Sequence, residues 1–141
     1  NDYAHHPTEI KTTLQSIKAS WPDRRVVGIF QPHRYTRTQA LFDEFTRAFY
    51  QTDKLILVPI YAASENQITG VTHTALCEGI QAHGHKNVAC TADFDEALAS
   101  IRSDMRADDI VLTMGAGDIL KLGERLLAEA PGATSSSGRN L

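Results

Sequence analysis

The chain has 141 residues, of which 42% are hydrophobic and 22% charged, as expected of a single domain that buries roughly 70% of its unfolded surface. A formal net charge of −3 and a pI near 6.0 argue against general attraction to nucleic acid or membrane surfaces, so any cationic site must be local. No apolar run approaches the roughly 20 residues of a membrane span, and the opening residues carry no signal-peptide pattern.

Asn1 and Asp2 begin inside a polar segment with neither a Met nor a strand ahead of them, which points to a piece of a longer protein cut near a domain boundary. Pro7 suits a first helical position and Glu9 a first turn. Ile10, Leu14, Ile17 and Trp21 recur near helical spacing, so the pattern predicts a helix over 7–20 that Trp21-Pro22-Asp23 stops. Val26, Val27, Ile29 and Phe30 form a short apolar run of the kind found in buried parallel strands. A second helix is expected to start near Thr38, with Leu41, Phe42, Phe45 and Phe49 on one face. Leu55 to Val58 is the next strand, and a polar loop from Tyr61 to Gly70 leads to a helix at about 72–83.

Asn87 to Cys90 is a weaker strand, after which Asp93 can cap a helix at 94–103. Ile110 to Thr113 is the last clear strand; Gly115-Ala116-Gly117-Asp118 follows it and opens a helix with Ile119, Leu122, Leu126 and Leu127 inside. The folded domain is set at 1–128, and 129–141, rich in Pro, Gly and Ser, is expected to be a disordered tail. Cys77 and Cys90, with no CxxC pair, read as small buried thiols of a cytoplasmic protein. Four clear strands alternating with helices give an α/β, Rossmann-like fold: a mostly parallel sheet with helices on both faces, one N-terminal element being lost or swapped.

Ligands of such sheets bind at the carboxyl ends of the strands. The polar residues of interest fall in the four loops there, 1–7, 31–38, 59–71 and 114–118. Arg34 and Arg37, next to His33, offer bidentate donors for a carboxylate or phosphate; the alternative is surface pairing with Asp43 or Glu44. His5 and His6, near Asp2, suit phosphate or metal contacts, or else helix capping and packing. Asp2 suits ribose hydroxyls or a local turn. Gly115-Ala116-Gly117 is either a phosphate-cradling turn or simply a tight strand-to-helix turn. Glu65 is exposed by default. No Walker sequence and no nucleophile–base pair is present. The residues describe a domain that binds and positions an anion.

Asp2-Tyr3-Ala4-His5-His6-Pro7-Thr8-Glu9, Phe30-Gln31-Pro32-His33-Arg34-Tyr35-Thr36-Arg37, Tyr61-Ala62-Ala63-Ser64-Glu65 and Met114-Gly115-Ala116-Gly117-Asp118-Ile119 occur in order along residues 1–128. Together they resemble the Mur ligases, nearest to the C-terminal domain of the member that joins L-alanine to UDP-N-acetylmuramate. The resemblance implies a three-domain cytoplasmic enzyme of peptidoglycan synthesis. An N-terminal domain would bind the UDP-sugar, a central domain ATP and Mg2+, and the C-terminal domain would admit the amino acid and close over ATP. The muramyl carboxylate would be activated as an acyl phosphate and attacked by the amine of L-alanine.

By the same resemblance Asp2, Tyr3 and His6 lie on the nucleotide side. His5 stands near the incoming amino acid, and Arg34 and Arg37 hold the alanine carboxylate and the reacting group. His33 and Glu65 join the substrate side, and no metal ligand is assigned. Asn1 stands where the family pattern has an acidic residue. The ATP loop, magnesium ligands and UDP site are not among these residues, so the isolated chain is expected to be inactive. The competing readings are the recycling ligase that adds L-Ala-γ-D-Glu-diaminopimelate to the same sugar, a stand-alone phosphate- or nucleotide-binding module, and a metallophosphoesterase using Asp2, His5, His6 and Asp118.

Overall fold

The structure is a computed structural model that describes residues 4–129 and 134–135. It opens on α1 (Pro7–Ser20), which follows a capping box. The His6 side chain accepts from the Thr8 amide and Glu9 accepts from the His6 amide, at 3.3 and 3.1 Å, so two amides that the helix leaves unpaired are satisfied. Then come β1 (Val26–Phe30), α2 (Tyr35–Ala40), α3 (Phe42–Phe45), β2 (Lys54–Leu57), α4 (His73–Ala82), β3 (Val88–Cys90), α5 (Phe94–Asp104), β4 (Ile110–Met114), α6 (Ile119–Glu129) and β5 (Thr134–Ser135). The strands form one sheet in the order β3-β2-β1-β4-β5, with every pairing parallel.

Strand periodicity divides the core in two. Val26, Phe30, Leu55, Leu57, Ile110, Leu112 and Met114 point to one face and pack with α1, Phe45, Phe49 and α4. Val27, Ile29, Ile56, Val58 and Val111 point to the other, against Ala97, Leu98 and Ile101 of α5 and Ile119, Leu122 and Leu126 of α6. The α/β, Rossmann-like reading with helices on both faces therefore describes the fold.

Three details differ from the sequence reading. The second helix starts at Tyr35 rather than near Thr38, and it breaks at Leu41, whose φ of −112° and ψ of 17° separate α2 from α3. Its early start has a remote cause, because Glu65 from the next crossover accepts from the Tyr35 and Thr36 amides at 2.6 and 3.1 Å. Phe49 lies beyond α3, yet it stays in the core with its ring 5.0 Å from that of Phe30. Thr134 and Ser135, within the segment expected to be disordered, pair in parallel with Ile110 and Val111; the remainder of that tail lies outside the described residues.

Polar groups at the amino edge of the sheet serve to lock the elements together. Arg25 donates to Asp109 at 2.6 and 3.0 Å and to the Asp104 carboxylate at 3.3 Å, and Lys54 reaches the Ser100 carbonyl and Asp104, each at 2.8 Å. The carboxyl edge is different.

Candidate functional site

Strand order reverses between β1 and β4, and crevices at such switch points are where open α/β sheets take ligands. Gln31, the first residue after β1 and 4% exposed, spans this point. Its amide donates to Asp118 at 2.7 Å, and its carbonyl accepts from the Ile119 amide at 3.1 Å. The first turn of α6 is thus engaged by a protein side chain. A Cβ on Gly117 would lie 2.6 Å from Cγ of Tyr61, and one on Gly115 (φ +147°) 3.0 Å from the Gln31 carbonyl oxygen. The Gly-Ala-Gly turn is closed by Tyr61 and Gln31, so its glycines serve close packing.

The loops after β1 and β2 are laced together. The Tyr61 amide donates to the Pro32 carbonyl at 2.9 Å and the Arg34 amide to the Tyr61 carbonyl at 2.8 Å, a parallel bridge centred on His33 and Tyr61. Holding this shape puts three non-glycine residues in left-handed backbone: Arg34 (φ 72°), Ala63 (φ 51°) and Ser64 (φ 72°). Such conformations cost roughly 1–3 kcal/mol each and gather at ligand sites. Glu65 closes the loop by accepting from the Thr36 hydroxyl at 2.5 Å in addition to the two α2 amides. Those bonds, Thr36's first, hold its carboxyl below the usual glutamate range.

His33 is the hub. Its ring stacks on Tyr61 with centroids 5.5 Å apart and planes inclined at 14°, and it meets the ring of His5 edge-on at 5.8 Å. Arg37 approaches His33 Nδ1 at 3.3 Å. A guanidinium only donates, so Nδ1 is the acceptor and the proton of the neutral ring sits on Nε2. Burial lowers the His33 pKa, and the neighbouring Arg37, His5 and Arg34 lower it further, against an opposing pull from Glu65. The imidazole is therefore neutral at physiological pH. Arg34 is exposed and Arg37 half-buried. The expected alternative, pairing with Asp43 or Glu44, is not among the ion pairs of the described residues: Asp43 pairs with Arg47 at 3.5 Å.

Of the residues singled out in the sequence, His5, His33, Arg34, Arg37 and Glu65 thus belong to one loop cluster. His5 Nδ1 also lies 3.9 Å from Glu9. His6 has its Nδ1 engaged by α1, and Asp2 and Tyr3 lie outside the described residues. Among the described residues no group of three or more His, Cys, Asp or Glu is placed to hold a metal ion. Two residues were given no role by the sequence, Tyr61 and Gln31. Gln31 had a signal, a polar residue directly following a buried strand; Tyr61 had only its place in a motif. Beside the cluster a cleft of about 690 Å3 opens between Tyr35, Pro59, Ile60 and residues 67–74.

Residues 1–117 match the family described as "Mur ligase, glutamate ligase domain". The chain is 60% identical over 127 residues to the UDP-N-acetylmuramate–L-alanine ligase of Desulforapulum autotrophicum, an alignment covering 90% of this chain and 28% of that protein. Among solved structures, the UDP-N-acetylmuramate–alanine ligase of Thermotoga maritima superposes with a TM-score of 0.72 at 26% identity, over 91% of this chain and 25% of that one. The murein peptide ligase of Psychrobacter arcticus shares the fold, with a TM-score of 0.71 at 24% identity over 91% of this chain and 26% of that one. The chain therefore spans a little over a quarter of the length of the curated relative, 28%.

Proposed function

The chain belongs to the Mur ligase family, and we propose that it is the C-terminal, amino-acid-admitting domain of a cytoplasmic ligase that joins L-alanine to UDP-N-acetylmuramate at the expense of ATP. The observation that carries this reading is the convergence of Arg34, Arg37, His33 and His5 at the carboxyl edge of the sheet, in a chain whose formal net charge is −3. The 60% identity to an L-alanine ligase supports the choice of amino acid.

ATP and Mg2+ would supply the activation of the muramyl carboxylate as an acyl phosphate. The Gly115–Gly117 turn is not an open phosphate cradle, because Gln31 and Tyr61 fill it. ATP and its metal would therefore be held mainly by the central domain, with the N-terminal domain holding the UDP-sugar. From this chain Asp2 and Tyr3 would meet the ribose and base. His6 keeps only its Nε2 for the nucleotide, since Nδ1 caps α1.

The work of this domain is electrostatic. Arg34 and Arg37 present two guanidinium groups, Arg37 held by His33 and Arg34 exposed, one for the alanine carboxylate and one for the oxygens of the reacting carboxyl or phosphoryl group. Attack by the amine places negative charge on those oxygens as phosphate departs, and preorganised cations stabilise it more than water does. A neutral His33 accepts from Arg37 and holds it without adding a charge that would compete for the substrate. His5 flanks the incoming amine, and Glu65 keeps the loop closed at α2 while facing Arg34.

The test is phosphate release by the full-length parent with UDP-N-acetylmuramate, Mg2+ and ATP. L-alanine should drive release, and Arg34→Ala should slow it by roughly 10²–10³-fold, about 3–4 kcal/mol of barrier. The 141-residue chain alone should release none. Release driven only by the L-Ala-γ-D-Glu-diaminopimelate tripeptide would overturn the L-alanine assignment in favour of the recycling ligase. Release with neither would leave a stand-alone anion-binding module.

A further inference from the structure

Tyr61 is 37% exposed, too open for its ring to be explained by core packing. One side of that ring stacks on His33, and its backbone holds the Pro32 carbonyl and the Arg34 amide. Its Cγ and Cβ would be 2.6 and 2.8 Å from a Cβ on Gly117, so the ring rests directly against the bare backbone of the β4–α6 turn. Gly117 is not among the positive-φ residues. Its lack of a side chain is therefore a matter of space for Tyr61 and for Gln31 Oε1, 2.8 Å from the same Cβ, not of backbone conformation. The turn is itself fixed by Gln31 through Asp118 and the Ile119 amide, at 2.7 and 3.1 Å.

A continuous set of contacts thus runs from the last strand-to-helix turn to the arginine loop: Gly117, Tyr61, His33, Arg37. We propose that Tyr61 is a positioning residue that sets the orientation of the His33–Arg37 pair, with Gly117 as the seat that fixes Tyr61. The physical basis is that Arg37 has a long, flexible side chain whose reach into the site is defined only if its partner is held. His33, in turn, is held by the stack with Tyr61 on one side and by His5 at its edge. The kinetic part of this proposal rests on the ligase reading above; the structural part does not.

Two measurements test it. In the 141-residue chain, the His33 ring protons are titrated by NMR for wild type, Tyr61→Phe, Tyr61→Leu and Gly117→Ala. The charged groups facing His33 are Arg37, Arg34, His5 and Glu65, and none is altered by these substitutions; the Tyr61 hydroxyl is lost in both Tyr61 variants and kept in Gly117→Ala. Phenylalanine should leave the His33 pKa in place, because the stacking ring survives. Leucine at 61 and alanine at 117 should both raise it, as the ring that buries His33 is lost or displaced. A His33 titration unmoved in both, with the remaining spectrum native, would overturn the proposal.

In the full-length parent, Tyr61→Leu and Gly117→Ala should raise the KM for L-alanine roughly 10- to 100-fold. The KM for UDP-N-acetylmuramate should stay near wild type, and Tyr61→Phe should restore alanine binding. Equal loss for both substrates would mean general damage to the domain and would overturn the positioning role. A wild-type parent with no alanine-dependent turnover would instead sink the ligase reading, and the titration would still decide the role of Tyr61.

Discussion

At the scale of single residues, the site is marked by strain. Arg34, Ala63 and Ser64 all adopt positive φ, and all lie in the two loops that carry the cation cluster. Arg34 cannot be relieved by glycine without losing its guanidinium, whereas Ser64 has no side-chain bond among the described contacts. Left-handed backbone costs a non-glycine residue about 1–2 kcal/mol, and glycine returns about 0.4–1 kcal/mol of that through the freedom of its unfolded chain. Ser64→Gly should therefore stabilise the domain by about 0.5–1 kcal/mol, read as a Tm increase of about 2 °C in thermal unfolding. Burial, with Cys90 alongside, pushes the Cys77 thiol up to about 11, so it stays protonated at neutral pH.

At the scale of elements, both helices that flank the site begin on unusual caps. α1 starts on a histidine, whose Nδ1 takes the place of a serine or aspartate oxygen. α2 starts on Arg34, which makes no side-chain cap, and the missing acceptor comes from Glu65 across the loop. Glu65→Ala should therefore fray α2, with the Tyr35 and Thr36 amides exchanging several-fold faster in hydrogen-exchange NMR while α4 and α5 are unchanged. The folded-state pKa of Glu65 lies below its ordinary value. The cap is thus fully present above the ordinary glutamate range and is lost as pH falls through the lower, folded-state value. Acidification should open the same two amides in wild type.

At the scale of the whole molecule, the sheet divides its labour by edge. The amino edge is a set of satisfied ion pairs, and the carboxyl edge carries the strained, cationic loops. Asp104 is held below the usual carboxylate range by Lys54 and then Arg25. In Asp109, burial pushes upward, but the Arg25 bonds and the Arg106 amide outweigh it and the net shift is downward. Both depressed values mean that stability is complete above the unfolded carboxylate pKa of about 3.9 and is lost as pH falls through the folded values. Asp109 is 3% exposed and Arg25 15%, so removing the Asp109 charge leaves the Arg25 guanidinium only the more exposed Asp104 carboxylate at 3.3 Å. Asp109→Asn should cost about 3 kcal/mol at pH 7 in denaturant titration. It should also shrink the difference in stability between pH 7 and pH 3.

The sequence by itself determined the layer architecture and the edge of the sheet at which the polar loops gather. Apolar runs such as Val26–Phe30 and Ile110–Met114 record burial on both faces, the spacing of Ile10, Leu14 and Ile17 records a helical face, and parallel topology sends the polar segments after each strand to one edge. The ordered motifs around His5, Arg34, Tyr61 and Gly117 were enough to identify the family. Only the tertiary structure decided what those residues do to one another. The β1–β2 register pairs Phe30 with Leu57 but His33 with Tyr61, so the loop after β2 takes up one residue more. That offset creates the stack on His33, the remote cap on α2 and the seat at Gly117. The reason is physical: periodicity reports how a residue relates to its own backbone and to water, whereas the choice of partner across dozens of residues depends on strand register and loop closure, which no local pattern encodes.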